Sequence, residues 1–186
     1  AWLTRCYHVN PEGQDGCYKG YESYTNEQVD AYVKQEFEND WQLLAHVNGD
    51  AAIDQLLHAV HQANEALGKK ERRTVAVHSQ TVRFDQLDQM KEEGIMPSLF
   101  PMHTFYWGDW HVNSVLGKER AFKISPTKTA LEKGLIFTSH HDAPVTFPNS
   151  LRVLDATVNR VSRSGQIIGP DERVSPYIGL KSLTDW

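Results

Sequence analysis

Four of the nine histidines close an apolar run or stand just beyond one. His46 ends Trp41-Gln42-Leu43-Leu44-Ala45, His78 ends Arg73-Thr74-Val75-Ala76-Val77, and His140 ends Leu135-Ile136-Phe137-Thr138-Ser139. His103 follows the run 95–100 by three residues, and Asp142 lies two residues past His140. Imidazole and carboxylate are the ligand types of a hydrolytic Zn²⁺ site, and a carboxylate beside activated water can move its proton. One histidine after one strand usually serves structure, whereas recurrence at equivalent places points to a shared rim. Side chains alternate along extended chain, so His140 and Asp142 should share a side while His141 turns away. His58 and His61 fall inside an amphipathic helical pattern, away from any strand end, and read as flank residues. Cys6 and Cys17 lack CxxC spacing. Two free thiols in a reducing compartment are expected there, with a disulfide between them as the alternative.

The elements that must position these residues are legible from periodicity and caps. Residues 1–24, rich in Gly, Tyr and polar groups, read as an irregular lead-in. Thr25 suits an N-cap for a helix running to about Asn39. A strand ending at His46 follows, then Asp50 as the cap of a helix whose face is Ile53, Leu56, Leu57, Val60 and Leu67, stopped by Gly68. The unit repeats: a strand to His78, a helix near Phe84–Glu93 stopped by Gly94, and a third strand over 95–100. A long aromatic loop, a helical stretch near Thr127–Lys133, a fourth strand to His140 and two last helices (from Pro148 on, and near Pro176–Leu183) complete the chain. Strands that alternate with helices and are nearly continuous in apolar residues form parallel sheets. HVNGDAA carries no GxGxxG, so a doubly wound nucleotide fold fits less well than a barrel. The expected fold is α/β: half of a (β/α)8 barrel, four parallel strands alternating with helices, in one domain over 1–186. In such a barrel the strand C-termini converge on one rim, where active sites are built.

The bulk properties narrow the class further. With 186 residues, 40% of them hydrophobic and 23% charged, the chain is an ordinary globular domain. A net charge of -5 offers no basic surface for phosphates, so nucleic acid is not expected as a partner. No apolar run approaches the roughly 20 residues a membrane span needs. Ala1-Trp2-Leu3-Thr4-Arg5 shows neither an initiator Met nor a signal-peptide core, so the chain reads as an excerpt. A cytoplasmic location is expected, with the periplasm as the other compartment.

LLAHVNGDAAID, TVAVHSQ, PMHTFYWGDWH and TSHHDAPVTFP, in this order and spacing, resemble the YtcJ-like branch of the metal-dependent amidohydrolases. The resemblance implies that His46 and His78 bind metal and that Asp142 binds metal and shuttles protons. It places His103, Tyr106, Trp107 and His140 against substrate, with Trp110 and Phe105 in a loop that either meets an apolar substrate group or packs on the barrel top. It also implies zinc, one or two divalent ions, and a small amide-like substrate. The family's first-strand HxH pair and bridging lysine have no counterpart here; Lys19 and Lys34 end no strand. The reading is therefore a fragment of a metal-dependent amidohydrolase that hydrolyses an amide-type C–N bond, inactive as this chain alone, with a non-catalytic regulatory or binding protein (an exoenzyme regulator, for example) as the alternative. Four strands leave a barrel open, so a homo-oligomer or the rest of the barrel is the expected partner. Asn48 and Gln80 are candidates to orient the metal-binding imidazoles.

Overall fold

The computed structural model describes residues 1–186 and contains one sheet of four parallel strands in the order β1-β2-β3-β4. The strands are β1 (Leu44–Val47), β2 (Thr74–His78), β3 (Ile95–Leu99) and β4 (Thr138–Ser139). Helix α1 (Asn26–Glu38) precedes the sheet, α2 (Asp50–Leu67) joins β1 to β2, and α3 (Phe84–Glu93) joins β2 to β3. Between β3 and β4 lie α4 (Met102–Tyr106), α5 (Gly108–Trp110), a π-helical turn (His111–Val115), α6 (Gly117–Ala121) and α7 (Thr127–Glu132). Helices α8 (Ser150–Val158) and α9 (Pro176–Thr184) follow β4. This is half of a (β/α)8 barrel, open along the outer edges of β1 and β4.

Local chemistry accounts for the longer elements. Thr25 and Gln28 form a capping box on α1: the Gln28 N–H donates to Thr25 Oγ1 at 3.4 Å and the Thr25 N–H to Gln28 Oε1 at 2.9 Å. Helix α3 ends at Gly94, whose φ of 73° is the left-handed conformation glycine adopts without strain. The cap of α2 is Gly49, one residue earlier than expected, and Asp50 is the first helical residue. Gly49 has φ 123°, and a Cβ there would stand 1.8 Å from the Trp2 carbonyl oxygen. Only glycine admits the lead-in so close.

Alternation divides the sheet. Ala45, Val47, Ala76, Ile95, Leu99 and Phe137 face the helices and join Val33, Phe37, Ile53 and Leu87 in the main core. Each fully buried aliphatic or aromatic side chain of this kind contributes about 1.5–3 kcal/mol. On the opposite face, which a closed barrel would turn inward, Leu44 is 59% exposed and Ile136 48% exposed.

Three further expectations need correction. The aromatic loop is largely helical from Met102 to Ala121, though its aromatic and polar residues carry no clear helical period; packing of Met102, Val115 and Leu116 decides its form. The fourth strand shrinks from 135–140 to Thr138–Ser139, because as an edge it pairs only with β3, at Ser98 and Leu99. The free thiols are a disulfide, Cys6–Cys17, with Cα atoms 5.0 Å apart. Turn residues between them (Pro11, Gly13, Gly16) bring the chain back on itself. The lead-in has no helix or strand, yet it is fixed to the rim: Trp2 N–H donates to Asn48 O at 3.0 Å, His8 N–H to Val115 O at 2.9 Å, and Leu3 is buried against Val115, Leu116 and Ile168.

Candidate functional site

His46 lies on β1 with its side chain exposed, and its ring meets that of His78 edge to face, centroids 4.5 Å apart. His78 is the last residue of β2 and pairs with the helix-facing Val47, so simple alternation would bury it against the helices. Instead its φ is 76° and that of Ser79 is 44°, a left-handed turn that brings the imidazole to His46 and His140. Such conformations cost of order 1–3 kcal/mol for a residue with a side chain and persist only where surroundings enforce them. Asp142 is also left-handed, with φ 56°, and its Oδ2 stands 4.0 Å from His78 Nε2.

His140 is what holds His78. Its Nε2 is 3.0 Å from His78 Nδ1, its Nδ1 is 2.9 Å from Ser98 Oγ, and its ring stacks on Phe100 at 4.9 Å. Both its nitrogens are thereby engaged by protein. Burial, then the neighbouring His78, lowers the His140 pKa to about 4, and burial, then His46, lowers that of His78. Both rings are neutral at pH 7, the form that binds metal. The His141 Nδ1 accepts from the Ala143 N–H at 3.1 Å.

A second imidazole pair lies across Phe100. His103, on α4, places Nδ1 2.9 Å from His111 Nε2, and its ring meets Phe100 at 4.7 Å and Trp107 at 4.7 Å. Burial holds His103 well below the usual histidine range and brings His111 to about 4. His111 Nδ1 is buried with no hydrogen-bond partner. Tyr106 packs on Trp107 at 5.6 Å, while Trp110 is 53% exposed. Asn48 and Gln80 bond each other (2.6 Å) rather than an imidazole. Sequence reasoning missed Ser98, Phe100 and His111. The alternation of β3 put Ser98 and Phe100 on the rim face, and His111 recurs two turns after His103, the one available signal for each.

Two imidazoles (His46 and His78) and a carboxylate (Asp142) are a donor set that suits a divalent ion. His78 fits closely: Nδ1 is engaged and Nε2, free of any hydrogen bond, faces Asp142. No three His, Cys, Asp or Glu side chains are grouped tightly enough to form a complete metal cage.

Residues 1–186, the whole chain, match the model of the Amidohydrolase family. The chain belongs to the amidohydrolase family. YtcJ of Bacillus subtilis (strain 168), a protein named as an amidohydrolase, is 22% identical over 178 residues, covering 94% of this chain and 33% of YtcJ. An uncharacterized metal-dependent hydrolase from Pyrococcus furiosus is 27% identical with a TM-score of 0.76, over 97% of this chain and 34% of that one. Another from Pyrococcus horikoshii OT3 is 21% identical with a TM-score of 0.80, over 98% of this chain and 35% of that one. This amidohydrolase chain thus spans about a third of the length of the relatives it matches. No helix in it is long and apolar enough to cross a membrane.

Proposed function

We propose that this chain supplies one metal-binding and proton-transferring wall of a metal-dependent amidohydrolase that cleaves an amide-type C–N bond in a small molecule. The observation that carries this reading is the Ser98–His140–His78 chain, which leaves His78 Nε2 free beside His46 and facing Asp142. A divalent ion held by His46, His78 and Asp142, zinc in this reading, would polarise the scissile carbonyl and lower the pKa of water toward about 7. His46 and His78 would be its ligands, and His140 fixes the tautomer of His78 by accepting its Nδ1 proton. Asp142 joins them as a ligand, takes the proton of the attacking water and delivers it to the leaving nitrogen. His103, held by His111, and the faces of Trp107 and Tyr106 border the space for the substrate's apolar part. His140, with both nitrogens occupied, offers substrate only its ring edge.

The exposed face with Leu44 and Ile136 is assigned to association, with the remainder of a barrel or a second copy covering it. The Cys6–Cys17 bridge supports an oxidising compartment over the cytoplasm. Hydrolysis of a panel of N-acyl amides by the complete, zinc-supplemented enzyme of which this chain forms one wall tests the reading. Turnover that chelation abolishes and Asp142→Asn lowers by at least about a hundredfold is expected. Turnover indifferent to both changes would sink it.

A further inference from the structure

A cavity of about 280 Å³ opens where the lead-in crosses the turn after β2 and helix α6. Its walls come from four separate stretches of chain: Arg5 from the lead-in, Asp50 at the start of α2, Thr81 and Arg83 after β2, and Arg120 and Lys123 in and after α6. Thr81 is three residues past His78, so the cavity lies on the rim that carries the candidate site.

The charges around it are unevenly paired. Arg83 is spent on acids, with Asp54 at 2.8 Å, Asp85 at 3.0 Å and Asp50 at 3.3 Å. Asp50 also accepts from the Thr4 N–H at 3.0 Å and from the Thr4 hydroxyl. Arg120, in contrast, is held entirely by neutral main-chain oxygens: Nε donates to Leu116 O at 2.8 Å, and Nη2 to Cys6 O at 2.7 Å and Val115 O at 3.4 Å. No acid makes an ion pair with Arg120, Arg5 or Lys123, and of the acids lining the cavity only Glu119 is not already paired. Lys123 sits over the Phe84 ring, 5.6 Å from its centroid. Thr81 lines the cavity, and its hydroxyl oxygen is buried without a hydrogen-bond partner.

We infer that this cavity binds a small oxyanion, a phosphate or carboxylate group, through Arg5, Arg120 and Lys123, with the Thr81 hydroxyl as an additional donor. A guanidinium fixed by neutral carbonyls keeps its remaining N–H groups aimed and its charge unneutralised, which suits charge-assisted, directional bonding to an oxyanion. Burial first, and then the nearby Arg5, lower the pKa of Arg120, with Asp50 and Glu119 opposing them in part, and an anion beside both guanidiniums would offset the Arg5 repulsion. The cluster stands out on a chain whose net charge is -5. The volume admits a small metabolite and little more. Because Arg5 belongs to the disulfide-closed lead-in and Thr81 to the turn after β2, an anion here ties the lead-in to the rim. None of this depends on the metal reading of His46, His78 and Asp142.

The test is titration of the full chain, disulfide intact, with inorganic phosphate and separately with acetate, at constant ionic strength, followed by amide chemical shifts. Saturable one-to-one binding is expected, with shifts centred on residues 81–83 and 119–123. The tighter of the two probes identifies the anion class. Arg5→Gln and Lys123→Gln remove no hydrogen bond within the protein, so they keep the fold, and each should weaken binding by roughly three- to tenfold. Arg120→Gln should weaken it further. Lys34→Gln, on α1, should change nothing. Absence of saturation with both probes overturns the inference. So does binding that the Arg5→Gln/Lys123→Gln double variant leaves intact, or that Lys34→Gln weakens equally.

Discussion

Replacing His140 by phenylalanine keeps a flat ring stacked on Phe100 while deleting both of the imidazole's hydrogen bonds. His78 is only 5% exposed, so its Nδ1 would be left in a buried setting without the partner now 3.0 Å away. An unmet buried donor costs about 1–3 kcal/mol, and Ser98 Oγ loses its partner as well, so a stability loss of about 2–4 kcal/mol is expected in chemical denaturation. A lost orienting partner on a metal-binding histidine usually lowers metal affinity by roughly 10–100-fold. Zinc competition against a chromophoric chelator would read that change in His140→Phe, with His140→Gln recovering part of it by restoring an acceptor. His141→Phe is the control, since His141 bonds only its own loop. A His140→Phe protein of unaltered stability and zinc affinity would refute the claim that His140 holds His78.

Arg160 is fully buried and donates to Ile124 O at 2.5 Å, Ile168 O at 2.7 Å and Ser125 O at 2.9 Å. Arg160→Met strands three carbonyls and should cost about 3–5 kcal/mol in urea unfolding. Burial lowers the His111 pKa from the usual 6.5 to about 4, so the folded state favours its neutral form. Its contribution is therefore intact above pH 6.5, falls as the pH drops toward 4, and amounts to about 3 kcal/mol, so acid unfolding curves should flatten in His111→Phe. Reducing Cys6–Cys17 should lower stability by on the order of 2–3 kcal/mol, measured by denaturation with and without reductant. Light scattering should report concentration-dependent association that Leu44→Glu and Ile136→Glu diminish; a clean monomer would remove the association proposal.

Much of this architecture was legible because local signals agreed with the fold. The Thr25 cap, the apolar face of α2 and the stop at Gly94 each have a short-range cause, and β2 ends at His78 as its β-branched run does. Where neighbours decide the form, the sequence alone misled: Met102–Ala121 is helical through packing, and β4 is short because it has one partner. The candidate site divides the same way. Parallel strands carry His46, His78 and Asp142 to one rim, which spacing could foretell. The left-handed φ of His78 and its bond to His140 could not be foretold, since the two residues are 62 apart in sequence and alternation alone points His78 the other way. His111 needed knowledge that 102–115 turns helically, and the cysteines needed their Cα separation.

Nitrogen-resolved NMR of the histidines during zinc addition tests the central claim most directly. Zinc is expected to engage His78 through Nε2, while Nδ1 keeps its proton and its bond to His140 and His46 shifts in parallel. Asp142→Asn should weaken the effect, and His58 and His61, on the outer face of α2, should stay unmoved at the same zinc concentration. Zinc that perturbs His58 and His61 while His46 and His78 remain unchanged would contradict it.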